Sequence, residues 1–294
     1  MSMLQDRVCL ITGASRGLGA QIALSFWEAG ASLMLVARST DLLDELIAGL
    51  PHRTNQRVIA FGADLCDPDT PYQIVEEAHR YFESLNVLIN NAAIQGPLGP
   101  AWDNDWAQWQ KTIQVNLLTP IQLCCLTVPW LINHNVMAQQ SRGKIINLSG
   151  GGATGPRANF TAYATAKAGL VRFSETLAEE THRLGIDVNC VAPGAMNTAM
   201  LKTVLEAGPV LAGQREYDAA LKVQQVTATS PERVAALIVF LASSVSDGIT
   251  GKLISAVWDP WEQFPEHLQD LQKTDIYTLR RIVPKDRAQK WGDV

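Results

Sequence analysis

Tyr163 and Lys167, four positions apart, carry the clearest potential for acid–base chemistry in this sequence. Side chains at positions i and i+4 of a helix lie on the same face. A phenol ordinarily ionises near pH ~10, and a neighbouring ammonium group stabilises the phenolate and lowers that pKa. Such a tyrosine can protonate a carbonyl oxygen or deprotonate an alcohol. The pair therefore predicts proton exchange at a substrate oxygen, although an isolated YxxxK spacing also arises by chance on helix surfaces.

A second chemical pattern, the glycine-rich stretch Thr12–Gly19, follows the first apolar run of the chain. Glycines permit a tight turn and the close approach of a pyrophosphate, and the N–H groups at the start of the next helix then bind the anion. The strand–turn–helix context favours nucleotide binding over a structural turn. The expected contacts come from Gly13, Ser15, Arg16, Gly17, Leu18 and Gly19.

Short apolar runs alternate along the chain with segments of helical spacing, which predicts a parallel, doubly wound α/β sheet of about seven strands with helices on both faces. We find no internal repeat, so residues 1–258 are expected to form one domain, with 200–229 as a substrate loop. The surplus, 259–294, contains Trp261, Phe264 and Leu271 and is expected to pack as an extension of that domain. We expect it to cover the substrate cleft or a neighbouring subunit. The predicted strands are Val8–Thr12, Ser32–Ala37, Val58–Gly62, Val87–Asn90, Lys144–Ser149, Asp187–Ala192 and Lys252–Val257.

From about Arg7 to Val257 the sequence resembles the short-chain dehydrogenase/reductase family, whose fold is of the Rossmann type. The resemblance rests on the motifs TGASRGLG, Asp64-Leu65, the run from Asn90 to Ala93, Asn116, YATAK and Pro193-Gly194 with Thr198. It implies hydride transfer between a nicotinamide nucleotide and a carbonyl or secondary alcohol. Tyr163 is then the acid/base, Lys167 also holds the ribose, and Asn116 anchors a water that relays protons. The further nucleotide contacts that it implies are Asp64, Leu65, Asn90, Ala92, Pro193, Gly194 and Thr198.

Arg38, at the end of the second predicted strand, bears on the choice of nucleotide. An acidic residue there would accept hydrogen bonds from the ribose of NAD, whereas an arginine pairs with the 2′-phosphate of NADP. Arg16 supplies a second cation within the glycine loop. Charge complementarity therefore favours NADP over NAD.

The expected catalytic serine is where this chain departs from the family pattern. That serine usually stands thirteen residues before the tyrosine, and this position is Gly150, with Ser149 one residue earlier. Successive side chains of a strand point to opposite faces, but three consecutive glycines after Ser149 allow a bulge that re-aims its hydroxyl. Three alternatives stay open: Ser149 acts through an altered turn, Thr154 or another hydroxyl replaces it, or the chain has no equivalent.

Two functions are therefore predicted, an NADP-dependent oxidoreductase and, as the alternative, a nucleotide-sensing binding protein with weakened catalysis. Gly150 motivates the second. Members of the resembled family are commonly dimers or tetramers through two long helices, here about 105–133 and 161–183. A homodimer or homotetramer is accordingly expected.

The composition argues against several other classes of protein. The 294 residues are 47% hydrophobic, which argues against a disordered protein. The net charge of −5, with no long run of one sign, argues against nucleic acid and anionic membranes as partners. Five cysteines without a CxxC pair favour a reducing, cytoplasmic location over a disulfide framework. No long apolar window predicts a membrane span, and no ligand spacing predicts a metal site.

Overall fold

A computed structural model describes residues 2–138 and 142–291, with the side chains of 133–138, 226 and 227 left out of the description. Within this part of the chain, a seven-stranded parallel sheet has the order β3-β2-β1-β4-β5-β6-β7. The doubly wound α/β architecture predicted from the sequence is confirmed. The strands are β1 (Val8–Thr12), β2 (Ser32–Ala37), β3 (Val58–Gly62), β4 (Val87–Asn90), β5 (Gly143–Leu148), β6 (Ile186–Ala192) and β7 (Leu253–Ser255).

Helices cover both faces of the sheet, as the crossovers between parallel strands require. Apolar side chains of α1 and α9 form one core with one face of the sheet, and those of α3 and α5 form a second core with the other. The helices are α1 (Gly17–Glu28), α2 (Thr40–Ala48), α3 (Thr70–Tyr81), α4 (Trp106–Ile113), α5 (Thr119–Ala138), α6 (Thr161–Thr181), α7 (Ala199–Ala212), α8 (Gln214–Lys222), α9 (Pro231–Ala242) and α10 (Leu268–Lys273).

The strand boundaries agree with the predicted runs to within two residues, and one small difference affects the site. The sequence predicted a strand through Ser149, but β5 ends at Leu148. Ser149 therefore begins the loop that leads to α6, and the alternation of side chains along a strand does not fix where its hydroxyl points. At the other edge of the sheet, β7 is three residues long rather than the six that were predicted.

The predicted substrate loop, 200–229, folds largely into two helices, α7 and α8. Gly208 has a φ of +71° and precedes Pro209, so the backbone bends sharply within α7. Gly213 has a φ of +85° and separates α7 from α8. We call these two helices the α7–α8 pair.

The C-terminal segment packs along the β7 edge of the sheet. Trp261, Phe264 and Leu271 are buried in the core that α9 also lines. The backbone N–H of Leu253 in β7 donates a hydrogen bond to the carbonyl of Tyr277. None of the residues that line the cavity at the carboxyl ends of the central strands belongs to 259–291, so the described part of this segment does not cover the cleft as the sequence predicts.

One helical stretch, Trp106–Ile132, is long and apolar enough to cross a membrane. Half of its most apolar window is buried inside the fold, and core helices of globular proteins pass the same test. The stretch is therefore weak evidence for a membrane span. Its burial against α3 and β4 accounts for its apolar character.

Candidate active site

A cavity of about 440 Å³ opens at the carboxyl ends of the central strands, where parallel α/β sheets bind ligands. It extends from the glycine loop after β1 to Tyr163 on α6. The predicted residues among its lining are Gly13, Ser15, Arg16, Gly17, Leu18, Gly19, Arg38, Asp64, Leu65, Ala92, Ser149, Tyr163, Lys167, Pro193 and Thr198. The sequence patterns therefore point to one contiguous site.

The glycine loop leaves no room for side chains at two of its positions. A β-carbon on Gly19 would overlap the carbonyl oxygen of Gly13, and one on Gly13 would lie 2.8 Å from the Cα of Ala92. Gly13 also has a φ of +67°, which favours glycine. The loop therefore packs closely between β1, the end of β4 and the first turn of α1, and its glycine backbone lines the cavity without covering side chains.

Three charged side chains surround the outer end of this cavity. Arg16 and Arg38 are exposed and line it. Asp64 follows β3, and its Oδ1 accepts a hydrogen bond of 3.1 Å from the backbone N–H of Cys66. That hydrogen bond holds the pKa of the Asp64 carboxyl below its usual value, so the side chain stays an acceptor at neutral pH.

At the end of β4, the cavity is lined by Asn91 rather than by the predicted Asn90. Asn91 donates side-chain hydrogen bonds to the carbonyls of Thr12 and Gly13, at 2.9 and 3.2 Å, and so fixes the start of the glycine loop. Asn90 is buried and donates to Oδ1 of Asn147 at 2.8 Å. Because successive residues of a strand face opposite sides, its amide joins the core beneath the site instead of the cavity.

The hydroxyl of Tyr163 packs directly against the backbone at Gly150. A β-carbon at position 150 would lie 2.5 Å from Tyr163 Oη and 3.2 Å from two ring carbons. A serine at the family's usual position would therefore collide with the phenol in this conformation. The glycine is the reason that the tyrosine hydroxyl can approach the turn so closely.

Ser149 supplies the hydroxyl in this part of the cavity. It is 4% exposed, and its Oγ is a buried polar atom without a hydrogen-bond partner in the described structure. A buried hydroxyl costs free energy until it finds a partner, and because Ser149 is among the residues that line the cavity, a ligand oxygen is a suitable partner. Thr154, the alternative considered from the sequence, is exposed and lies outside the lining.

Lys167 is almost fully buried below Tyr163. Its Nζ donates a hydrogen bond of 2.7 Å to the carbonyl of Leu148, the last residue of β5, and lies 5.7 Å from the centre of the tyrosine ring. Burial lowers the pKa of Lys167 to about 8, since the charged form loses its hydration. The lysine is therefore held in place by the end of the strand and titrates close to neutral pH.

The pKa of Tyr163 lies above its usual value, because burial disfavours the phenolate and outweighs the opposing charge of Arg157. The spacing of Tyr163 and Lys167 predicts a pKa lowered by the lysine. In this structure desolvation is the larger effect, and the cation that opposes it comes from the turn before α6.

Asn116 lies in a π-helical turn, Gln114–Leu118, between α4 and α5. Its side-chain amide accepts from the backbone N–H of Ile94 at 2.9 Å and donates to the carbonyl of the same residue at 2.8 Å. Ile94 lines the cavity. These two hydrogen bonds fix the segment after β4, and the water relay that the resemblance implies at Asn116 stays a prediction. π-Helical turns often occur at functional sites.

The segment after β6 supplies one wall of the cavity through Pro193 and Thr198, whereas Gly194 lies outside the lining. At Gly194 a β-carbon would meet the side chains of Thr229 and Val257, so this glycine serves packing. Five further residues of this segment line the cavity: Met196, Asn197, Ala199, Met200 and Lys202. The sequence singled out none of them individually, although Met200 and Lys202 lie in the predicted substrate loop.

The residues present fit a dinucleotide. The bare glycine backbone suits a pyrophosphate, and the two arginines at the outer end suit a phosphate on the ribose. Beside Tyr163, the unpartnered Ser149 hydroxyl is a ready donor to a ligand oxygen. Among the described residues, no cluster of histidine, cysteine and carboxylate side chains is placed to hold a metal ion.

Comparison with known proteins agrees with this site. A family model described as short chain dehydrogenase matches residues 7–208. A 3-oxoacyl-[acyl-carrier-protein] reductase of Thermotoga maritima is 32% identical over 85% of this chain and 96% of its own. The BbsD subunit of a (2S)-[(R)-hydroxy(phenyl)methyl]succinyl-CoA dehydrogenase from Thauera aromatica is 31% identical over 85% and 95%.

Solved structures show the same architecture. A protein from Shigella flexneri, assigned as a short chain dehydrogenase and complexed with NADP, superposes with a TM-score of 0.72 at 25% identity, over 87% of this chain and 98% of its own. The family match over residues 7–208 includes the glycine loop and the Tyr163–Lys167 pair. The chain belongs to the short-chain dehydrogenase/reductase family of nucleotide-binding oxidoreductases.

Proposed function

We propose that the protein transfers a hydride between NADP(H) and a carbonyl or secondary alcohol, with Tyr163 as the acid/base. The observation that carries this proposal is that two hydroxyl-bearing residues line one cavity: Tyr163, whose Oη lies against Gly150, and Ser149, whose Oγ is buried without a partner. When bound, the nicotinamide supplies or accepts the hydride. The protein's own side chains then have to bind the substrate oxygen and move one proton to or from it.

Tyr163 donates that proton to the substrate oxygen during reduction and removes it during oxidation. Ser149 Oγ donates a hydrogen bond to the same oxygen, which stabilises the charge that develops there. Lys167, anchored on the carbonyl of Leu148, holds a cation beneath the tyrosine and binds the nicotinamide ribose. Asn116 holds Ile94 in the wall of the cavity through its two hydrogen bonds.

A Tyr163→Phe variant tests this proposal, because it keeps the ring and removes the proton. We expect NADPH oxidation across a panel of ketones to fall by about 10²–10⁴-fold, the usual contribution of a general acid. Tyr217→Phe is the matched control, since Tyr217 does not line the cavity. Unchanged turnover in Tyr163→Phe would exclude the assignment.

The preference for NADP rests on Arg38 and Arg16, which line the outer end of the cavity. A similar protein from Shigella flexneri is complexed with NADP. Calorimetry should show tighter binding of NADP than of NAD, and Arg38→Ser should reduce this difference by about ten- to a hundredfold, since a charge-assisted pair contributes ~1.5–3 kcal/mol. Tighter binding of NAD to the unaltered protein would contradict the preference.

A nucleotide-sensing function is the alternative, and one observation favours it. Ser149 Oγ makes no hydrogen bond to Tyr163 within the described structure, so the two hydroxyls do not form a hydrogen-bonded catalytic pair there. A structure with nucleotide and a ketone analogue separates the two functions. Both hydroxyls within ~3 Å of the ketone oxygen indicate catalysis, whereas binding of nucleotide without measurable turnover indicates sensing.

We also propose a cytoplasmic homodimer or homotetramer that acts on a small carbonyl or alcohol compound. The five cysteines are free, as a reducing compartment requires. Trp106 on α4 and Leu118 before α5 expose large apolar surfaces on the helices expected to form the subunit contact. Light scattering after size exclusion tests the assembly, and a monomeric mass would exclude it.

A further inference from the structure

Arg157 lies in the turn between β5 and α6 and folds back along the three glycines that follow Ser149. A β-carbon at Gly151 would lie 3.5 Å from its Nη1 atom, and one at Gly152 would lie 3.4 Å from its Cβ. Gly150, the next residue towards β5, is the position against which the hydroxyl of Tyr163 packs. The guanidinium and the phenol thus pack against neighbouring positions of the same turn.

Two further contacts fix the guanidinium in this position. Its central carbon lies 3.7 Å from the centre of the Phe160 ring, a cation–π arrangement. Its Nε donates a hydrogen bond of 2.8 Å to Oε2 of Glu216 on α8. Both side chains of this ion pair are roughly three-quarters buried, which screens their interaction less than at an open surface.

The α7–α8 pair is attached to the catalytic helix at the same place. Phe160 directly precedes α6 and is fully buried in a small core with Val204 and Ala212 of α7 and Ala220 of α8. Glu216 therefore reaches Arg157 from a helix that packs on the start of α6. Any displacement of α8 would separate the carboxylate from the guanidinium.

The charges that face Tyr163 come from several elements. Lys167, on its own helix, is 5.7 Å from the ring centre and donates to the Leu148 carbonyl. Cys190 of β6 interacts with Lys167 and stays neutral, because burial raises the pKa of its thiol to about 12. Burial raises the pKa of Tyr163, and the charge of Arg157 opposes that shift. The other titratable side chains around the cavity are Arg16, Arg38, Asp64, Cys66 and Lys202.

We propose that Arg157 is a positioning residue of the active site, whose cation stabilises the phenolate of Tyr163 and which Glu216 on α8 holds and partly neutralises. This inference rests on the proposed function, in which Tyr163 exchanges the substrate proton. It links the acidity of the tyrosine to the position of the α7–α8 pair. A substrate that displaced α8 would thereby change the acidity of Tyr163.

The proposal makes opposite predictions for the two partners of the ion pair. Arg157→Gln removes the stabilising cation, so the tyrosine ionises at higher pH. Glu216→Gln leaves the cation unneutralised, so the tyrosine ionises at lower pH. We expect shifts of about one pH unit in each direction, as for a partly screened charge at short range. Arg157→Lys keeps the charge and should lie closer to the unaltered protein than Arg157→Gln.

Two measurements test these shifts. The first is the pH dependence of alcohol oxidation, in which the phenolate is the base. The second is NMR of protein labelled at tyrosine Cζ, with the Tyr163 resonance assigned from Tyr163→Phe. The NMR titration does not require turnover, so it tests the inference even if the proposed reaction is wrong. Arg80→Gln, which breaks an exposed pair with Glu76 on α3, controls for unspecific charge effects.

Shifts of opposite sign in Arg157→Gln and Glu216→Gln, with none in Arg80→Gln, support the proposal. Shifts of the same sign, or an unchanged tyrosine titration in Arg157→Gln, would overturn it. If Arg157→Gln does not fold, Glu216→Gln and Arg157→Lys still decide, because a purely structural ion pair predicts no downward shift in Glu216→Gln. If the unaltered protein shows no turnover, the proposed function is contradicted, but the NMR titration still tests the role of Arg157.

Discussion

Two glycine-rich turns lie at the same edge of the sheet, and they use glycine for different purposes. In the loop after β1, the missing β-carbons of Gly13 and Gly19 let the protein backbone close on itself, which leaves bare N–H groups for a ligand. In the turn after β5, the missing β-carbon of Gly150 makes room for the protein's own Tyr163. The first turn leaves backbone N–H groups available to a ligand, and the second determines where the Tyr163 side chain lies.

This difference predicts separate consequences for binding and for chemistry. Damage to the first turn should abolish nucleotide binding and, with it, every later step. Damage to the second turn should spare nucleotide binding and reduce turnover alone.

The largest effect is expected for Gly19→Ala. Its β-carbon would overlap the Gly13 carbonyl, a backbone atom that cannot move without opening the loop. We expect a loss of about 3 kcal/mol or more in the free energy of unfolding and no measurable nucleotide binding. Denaturant unfolding and calorimetry measure the two effects. Gly49→Ala, whose β-carbon would make ordinary contacts, is the control and should behave like the unaltered protein.

Ser149→Ala should give the next largest effect, now in the second turn. Removal of a single hydrogen-bond donor to a developing oxyanion costs about 10²–10³-fold in kcat. The affinity for nucleotide should stay within about twofold, since in the proposed function this hydroxyl binds the substrate oxygen and not the nucleotide. Thr154→Ala removes an exposed hydroxyl five residues on and should leave steady-state kinetics unchanged. An unchanged kcat in Ser149→Ala, or an equal loss in Thr154→Ala, would contradict the role assigned to the Ser149 hydroxyl.

Gly150→Ala tests the contact between the turn and the tyrosine. The added carbon would lie 2.5 Å from Tyr163 Oη, so the phenol has to move by about an ångström. A displacement of that size costs on the order of 100-fold in rate. Gly155→Ala, in the same turn but with open space around the new carbon, is the matched control. A Gly150→Ala variant with normal kcat would show that the tyrosine position is not set by this contact.

The smallest effect is expected from pH, through Lys167. Its pKa of about 8 means that the ammonium is present below this pH and lost above it. In the direction of carbonyl reduction, kcat/KM for the nucleotide should fall about tenfold per pH unit above pH 8, because this parameter reports groups of the free protein. Lys167→Arg, which keeps its charge, should remove this decline.

The first of the two turns was predictable from the sequence, and the second was not. Thr12–Gly19 stands between a buried strand and a helix, and this context together with the glycine spacing predicts a ligand-binding loop, which lines the cavity in the structure. At the second turn, the sequence placed Gly150 where a serine was expected but did not indicate that the phenol would fill the vacated space. That outcome depends on the end of β5 at Leu148 and on the angle at which α6 starts, which are set by tertiary packing.

Tertiary structure also explains the smaller differences between the predicted and the observed site residues. Asn90 and Asn91 are the same residue type, and the end of β4 at Asn90 separates them: Asn90 points into the core, whereas Asn91 begins the loop that lines the cavity. Arg157 and Glu216 are 59 residues apart in the chain, so no local pattern could join them. The periodicity of α6, by contrast, correctly placed Tyr163 and Lys167 on the same side of one helix.

The hydrogen bond from Leu253 to Tyr277 has a consequence for how subunits can join. An open edge strand is a template on which a second sheet can continue. Here the C-terminal segment already occupies part of the β7 edge, and Lys252 donates to the carbonyls of Thr274 and Ile276 beside it. A continuous sheet running through β7 into another copy of the chain is therefore blocked. Subunits that meet at this edge would touch through their C-terminal segments, so changes there would alter assembly without reaching the cavity.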